Sequence, residues 1–493
     1  MAGDAKVGTV FLVGAGPGDP GLLTVRGAEC LKAAEVIVAD HLVDPEVIAR
    51  HASPEAEVIT RPPRRAELDQ EEINRLLIDK ARAGKTVVRL KGGDPFIFGR
   101  GGEEAQALSA ANIPFQVVPG VPAAIAVSAY AGIPLTHRGA AASVAFATGH
   151  EADLKSGGQV AWDALSRGAS TLVLYMSVKN LSEVVTRLLA AGRPSSEPIA
   201  VIENGTTSNQ RTLISTLDRV VDAAHAMNLS PPALTLVGEV VNKGRVSWFE
   251  SQPLHGKRVL VVATKSPQIG RRPDGLEVLW VRPLTVVPCL AAAALENLSR
   301  AKMITFASTH AVDALFSALK SSGKDARALG AIKIAAVGKA TEARLLDYGL
   351  AADLTGDEGG ASLAQKILAA KWDGPALVLG AQDGRPDLAH ALASGGVSVE
   401  SMAAYETAFD RESLGRVPMF DAIAFGSPKG VHAFLAQHGR DSLATKLVGA
   451  IGQTTASALG EAKISAAVIC ERPEIEMLVD EIAEALAAQR KLR

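Results

Sequence analysis

Three stretches of the 493-residue chain gather glycine, proline and acidic residues at the ends of apolar runs. The first, TVFLVGAGPGDPG (9–21), sets Gly14, Gly16 and Gly18 directly after a β-branched run. Glycine there removes the Cβ that would hold a ligand off the backbone. The second, RLKGGDPFIFGRGGEEA (89–105), sets Gly92, Gly93 and Asp94 after the run KTVVRL. The third, VPGVPAAIAVSAYAGIPLTHRG (118–139), is a Pro-Gly turn, a small-residue helix and then Thr136-His137-Arg138. Two glycine-rich strand ends in one parallel sheet place two loops at the same carboxyl edge, where such sheets bind ligands. His137 and Arg138 together suit an anionic substrate.

The first loop has the outline of a dinucleotide fingerprint, with Asp40 where a ribose-binding acid would stand. Pro17 and Asp19-Pro20 argue against it, because that motif needs a helix N-terminus with free N–H groups at this point. The spacing predicts instead a helix capped by Thr24 and a loop bent around its ligand. A nicotinamide-dependent dehydrogenase is the alternative that remains for this half. Phe96 and Phe98 stand out where aromatics are only 4% of residues, and read equally as core filler or as cleft wall.

A second set of groups lies further on. Ser308, Thr341, Ser427 and Thr455 each fall near the start of an expected helix. Capping alone accounts for any one of them. Their recurrence in two similar segments, ITFASTHAVDALFSAL (304–319) and AIAFGSPKGVHAFLAQ (422–437), points to two lobes facing one cleft, with helix N-termini aimed at substrate carboxylates.

The elements that must carry these groups are short β-branched runs alternating with Ala/Leu/Glu-rich amphipathic stretches, which is the pattern of an α/β protein with mostly parallel sheets. Pro253 and Gly256 break that pattern just before a fresh strand, KRVLVVA, so the chain divides into 1–252 and 255–493. Hydrophobic residues at 47% and charged residues at 21% exclude a disordered chain, and a net charge of −2 gives no bulk attraction to nucleic acid or to an anionic membrane. No apolar run reaches about 18 residues, so no membrane span is expected, and the cytoplasm is the default location. Cys30, Cys289 and Cys470 are too scattered for a disulfide framework or a local metal motif.

Six motifs, GAGPGDPGLLTVRG, VVRLKGGDPFIFGRGGEE, VPGV, AGIPLTHRG, YMSVKNL and PALTLVGEVV, follow one another in order. Together they closely resemble the uroporphyrinogen-III C-methyltransferases of the tetrapyrrole methylase family, over about residues 7–249. The resemblance implies a two-lobed α/β methylase with S-adenosylmethionine folded in the cleft. It also implies two methyl transfers to uroporphyrinogen III, giving precorrin-2. It assigns Pro17, Gly92, Gly93, Asp94, Ile97, Ala123, Met176 and Gly205 to the cofactor and Asp40 to proton acceptance. Arg61 stands where the family has a lysine proposed as proton donor; an arginine keeps the cation but holds its proton. Pro122 replaces a usual threonine. No metal is implied.

Residues 257–493 resemble uroporphyrinogen-III synthase, on the FAS and FGSPKGV turns, VGKATEARL, VLGAQDGRPDLAHAL, VESMAAYET and AIGQTTASAL. The resemblance implies cyclisation of hydroxymethylbilane with inversion of ring D. Tyr405 then assists departure of the terminal hydroxyl, and Thr341, Ser427, Thr454 and Thr455 contact substrate. It implies one lobe from about 257–285 plus 408–493 and another from about 290–403. The expectation is a bifunctional enzyme, a homodimer through its methylase half, with tetrapyrroles as its partners. The alternatives are a methylase with a non-catalytic tetrapyrrole-binding second half, and a sensor or scaffold without turnover.

Overall fold

The computed structural model describes residues 7–491 apart from 54, 61–69, 150–159, 265–273, 291–294, 297, 299, 358, 373, 385 and 416, so Arg61 lies outside the described residues. Strands β1 (Val10–Gly14), β2 (Val36–Ala39), β3 (Glu57–Thr60), β4 (Val87–Lys91) and β5 (Phe115–Val118) form an all-parallel sheet in the order β3-β2-β4-β1-β5. Val13, Ile37 and Leu90 pack on one face while Leu12, Val38 and Val87 pack on the other. Covering both faces is what demands continuous apolar runs rather than alternation. Thr24 caps the helix Val25–Ala33 as expected, its hydroxyl accepting from Gly27 N at 3.1 Å.

The second sheet holds β6 (Val144–Thr148), β7 (Thr171–Tyr175), β8 (Pro198–Glu203), β9 (Arg211–Thr216) and β10 (Ala233–Val237), in the order β6-β7-β10-β8-β9. Only β6 and β7 run parallel; the other pairs are antiparallel, and a short turn joins β8 to β9.

The remaining strands are β11 (Arg258–Val262), β12 (Glu277–Val281), β13 (Leu284–Pro288), β14 (Met303–Phe306), β15 (Lys333–Ala336), β16 (Leu354–Thr355), β17 (Ala376–Ala381), β18 (Val399–Phe409), β19 (Ala422–Phe425), β20 (Leu447–Ala450) and β21 (Val468–Ile469). They make a third sheet, β12-β11-β19-β20-β21, and a fourth, β13-β18-β17-β14-β15-β16. The chain crosses from the third to the fourth between β12 and β13 and returns after β18. At the crossing Arg282 Nε donates to Asp410 Oδ2 and Asp410 N to Pro283 O, each at 3.0 Å. Leu284 and Thr285, expected in the first of these lobes, pair with Phe409 and Ala408 in the fourth sheet.

The internal echo is physical. Ser308 (φ −168°, ψ 166°) and Ser427 (φ −168°, ψ 156°) cap the helices Thr309–Ser321 and Pro428–His438 in nearly the same geometry. Between the second and third sheets the chain does not hang free: Phe249 and Leu254 are buried. No described helix is long and apolar enough to cross a membrane.

Candidate active sites

The loops after β1, β4 and β5 meet through glycine. Gly93 N donates to Gly16 O at 2.8 Å and Gly16 N to Gly93 O at 3.2 Å. A Cβ on Gly120 would lie 2.2 Å from Gly93 O, and one on Gly14 would lie 2.6 Å from Gly120 Cα. Gly16 (φ +77°) and Gly93 (φ +68°) also take the left-handed backbone that glycine alone adopts freely. Asp94 ties two of these loops together, its Oδ1 accepting from Phe96 N at 2.8 Å and its Oδ2 from Gly120 N at 3.0 Å.

The second sheet closes on this cradle. Ala123 opens the helix Ala123–Tyr130 beside Gly93, and Ala124 N donates to the Tyr175 hydroxyl at 2.9 Å. Met176 follows Tyr175 in left-handed backbone (φ +53°). Gly205 lies against Val127, where a Cβ would come within 2.4 Å of Cγ1. Next to it, Thr206 Oγ1 accepts from Asp19 N at 3.0 Å. Gly93, Asp94 and Ala123 thus meet at the cradle and Gly205 stands beside its Asp19 side, with Pro17, Gly92, Ile97 and Met176 next to these residues in the chain, where the first two sheets face each other across a cleft. Its rim is apolar and open: Leu42, Phe96, Phe98, Phe146 and Met176 are all exposed. Phe98 packs 4.7 Å and Phe146 6.4 Å from the Tyr175 ring, so Phe98 is cleft wall rather than core. Burial raises the Tyr175 hydroxyl above its ordinary range, which keeps it protonated.

Below the rim is a buried ionic cluster. Glu104 Oε1 accepts from Arg89 Nε at 3.0 Å, Lys91 Nζ at 3.0 Å and Gln70 Nε2 at 3.1 Å. Arg89 Nη2 donates to Asp40 Oδ1, and Lys91 Nζ lies 3.6 Å from Asp40 Oδ2. Arg89, Lys91 and Glu104 are out of water and must pair, since an unmatched charge there is strongly unfavourable, and the partly exposed Asp40 completes the balance. Burial alone would raise the Asp40 carboxyl, but Arg89 and Lys91 outweigh it and hold the group below the usual carboxylate range. Asp40 also lines a cavity of about 420 Å³, shared with Thr60, Glu72, Arg75 and Asp79. The sequence reading missed this cluster and Tyr175. The available signal was two cations, Arg89 and Lys91, in the otherwise apolar run VVRLK.

His137 and Arg138 follow the helix that begins at the cradle; both are exposed, and His137 pairs with Ala141.

In the second half, Ser308 Oγ accepts from Ala311 N at 3.2 Å and donates to the Tyr405 hydroxyl at 3.0 Å. Ser427 Oγ accepts from Gly430 N at 3.1 Å. Lys429 and Asp383 pair across the gap between the third- and fourth-sheet lobes, bringing the Ser427 turn to face the loop after β17. Thr341 and Thr455 lie near helix starts as expected. The helices Lys339–Asp347 and Gln453–Glu461 are capped by Gly338 and Gly452, which leaves both threonines at the third helical position, and both are buried. Thr454 is exposed.

Residues 9–221 match the family described as Tetrapyrrole (Corrin/Porphyrin) Methylases, and residues 274–480 match Uroporphyrinogen-III synthase HemD. The Porphyrin biosynthesis protein HemD of Ruminiclostridium josui is 34% identical over 97% of this chain and 98% of its own length. The chain belongs to this family of fused tetrapyrrole methylases and uroporphyrinogen-III synthases. Its methylase half is 45% identical to a Uroporphyrinogen-III C-methyltransferase of Bacillus subtilis, over 50% of this chain and 96% of that one. A structure of Uroporphyrin-III C-methyl transferase from Thermus thermophilus complexed with S-adenyl homocysteine covers 48% of this chain and 99% of its own, with 42% identity and a TM-score of 0.41. In the fused methylase and synthase, the glycine cradle falls within the first match and the Ser308–Tyr405 pair within the second.

Proposed function

We propose that the second half cyclises hydroxymethylbilane to uroporphyrinogen III and that the first half methylates this product twice with S-adenosylmethionine, giving precorrin-2. The observation that carries the reading is the glycine cradle of Gly16, Gly93 and Gly120, which opens onto an apolar rim with a charged carboxylate, Asp40, beneath it. Such a cleft suits a nucleoside sulfonium on one side and a flat, partly apolar tetrapyrrole on the other.

S-adenosylmethionine supplies the methyl group as a sulfonium. The chain's own work is positioning and drying: Gly92 and Gly93 offer backbone without side chains, Asp94 and Thr206 hold the loops, and Phe98 and Met176 exclude water. Asp40 takes the proton released after methylation. Arg61, outside the described residues, contributes a permanent positive charge for substrate carboxylates. In the other half Tyr405 assists loss of the terminal hydroxyl, Ser308 fixes its phenol oxygen, and Ser427 and Thr454 contact the substrate. The functional units are 1–252 and 255–493. Assembly as a homodimer would give the exposed His137 and Arg138 a partner, and sedimentation tests it.

One assay tests the whole reading. Hydroxymethylbilane and S-adenosylmethionine are supplied together and the products are followed by absorbance and isomer analysis. Precorrin-2 is the expected product. Methylation of added uroporphyrinogen III, with none from hydroxymethylbilane, would remove synthase activity from the second half.

A further inference from the structure

The turn joining β8 to β9, residues 204–210, faces two ways. Its front end is cofactor wall: Thr206 Oγ1 holds Asp19, and a Cβ on Gly18 would come within 2.7 Å of that same oxygen. Asn204 (φ +48°) and Thr206 (φ +67°) are both left-handed, which a β-branched residue rarely accepts unless its surroundings enforce it. The enforcing group is Gln210. Its Oε1 accepts from Thr206 N at 2.7 Å, and its Nε2 donates to Glu250 Oε1 at 2.8 Å.

The back end is bonded to the other half of the chain. Ser208 is almost wholly buried and its hydroxyl donates to Glu277 Oε2. Asn209 Oδ1 accepts from Arg258 Nη2 at 3.0 Å, and Gln210 O accepts from His255 Nε2 at 3.2 Å. Arg258 and Glu277 are the first residues of β11 and β12, at the edge of the synthase's first sheet. A second path closes the circuit. The His255 ring packs 4.9 Å from Phe249, Phe249 packs 4.8 Å from Tyr130, and the Tyr130 hydroxyl donates to Asp19 Oδ2 at 2.7 Å. Three successive turn residues thus answer to the synthase side, while the turn's other end shapes the methylase pocket.

We infer that the synthase half sets the shape of the methylase's cofactor loop, with Ser208 and Glu277 as positioning residues that couple cofactor affinity to the docked edge of β11 and β12. This rests on the reading of the Gly205 turn as cofactor wall. The coupling is reciprocal, since two linked sites change each other's affinity by one factor.

The test uses the full chain and S-adenosylhomocysteine as probe, measured by calorimetry. Ser208→Ala and Glu277→Ala are each expected to weaken binding about fivefold or more. Glu277 also pairs with Arg258 Nε at 3.8 Å, so the double variant is expected to match Glu277→Ala, with Ser208→Ala adding nothing once its acceptor is gone. Glu277→Gln keeps an acceptor for the Ser208 hydroxyl and is expected to stay within about twofold of the parent. KM for S-adenosylmethionine rises more than kcat falls, and hydroxymethylbilane cyclisation is unchanged, which also reports that the variants fold. Unchanged affinity in both alanine variants would overturn the inference. A parent chain that binds no S-adenosylhomocysteine would remove the cofactor reading itself and the inference with it. Hydrogen exchange on the parent chain needs no variant: the probe is expected to slow exchange at Arg258 and Glu277 as well as at Thr206. Protection confined to the methylase half would overturn the coupling.

Discussion

Arg89 Nε donates to Glu104 Oε1 at 3.0 Å with both side chains almost completely out of water, and Lys91 reaches the same oxygen. Removing the charge of Glu104 would leave two buried cations facing Asp40 alone. Glu104→Gln is expected to destabilise the methylase half by about 3 kcal/mol or more, read by urea unfolding. The same change at the exposed Glu103, which pairs only with Arg100, is expected to cost under about 1 kcal/mol.

Asp40 is held ionised by Arg89 and Lys91 against the opposing effect of burial. Asp40→Asn is expected to slow precorrin-2 formation about 100-fold or more while S-adenosylhomocysteine still binds. Because its folded pKa lies below the ordinary 3.8, Asp40 adds stability that is present above that value and lost as pH falls through the folded pKa. Its charge therefore imposes no pH dependence on methylation near neutrality.

The Tyr405 oxygen accepts a hydrogen bond from the Ser308 hydroxyl, which leaves its own O–H to donate to a substrate. Tyr405→Phe is expected to slow cyclisation about 100-fold and raise the share of isomer I, which closes without the enzyme. Stability is expected to change by under about 1 kcal/mol, since Ser308 still caps its helix through Ala311 N. An unchanged isomer ratio would remove Tyr405 from the chemistry.

Glu46 behaves in the opposite sense to Asp40. Burial pushes its carboxyl from 4.5 up to about 7, against the pull of Arg50, and Asp44 and Glu277 add to the push. The folded protein keeps a proton there that the unfolded chain releases. The resulting stability is fully present below about 4.5 and is lost as pH rises to about 7. Urea midpoints at pH 5 and pH 8 read the slope, and Glu46→Gln is expected to flatten it.

How far the chain could be read in advance depended on what each residue's neighbours in sequence disclose. The glycines of the first and second loops were legible because Gly16 and Gly93 meet in left-handed backbone, which glycine adopts without strain. The Ser308 and Ser427 turns were legible because a cap is a local event. Thr341 and Thr455 were legible as lying near helix starts, while Gly338 and Gly452 take the cap position itself through extended backbone that leaves no side-chain signature. His137 and Arg138 follow the cradle helix and are exposed, and adjacency in a motif does not say what they face. The pairing of Arg89 and Lys91 with Glu104 depends on a helix returning over β4. From sequence alone the two cations weaken a strand rather than predict an ionic core.

The paired crossing of β13 and β18, pinned by Arg282 and Asp410, makes the joint between the synthase lobes a two-stranded spine rather than a single tether. A spine of that kind bends about one axis and resists twist. Tyr405 on one lobe and the Ser427 turn on the other are thereby held in a single angular relation.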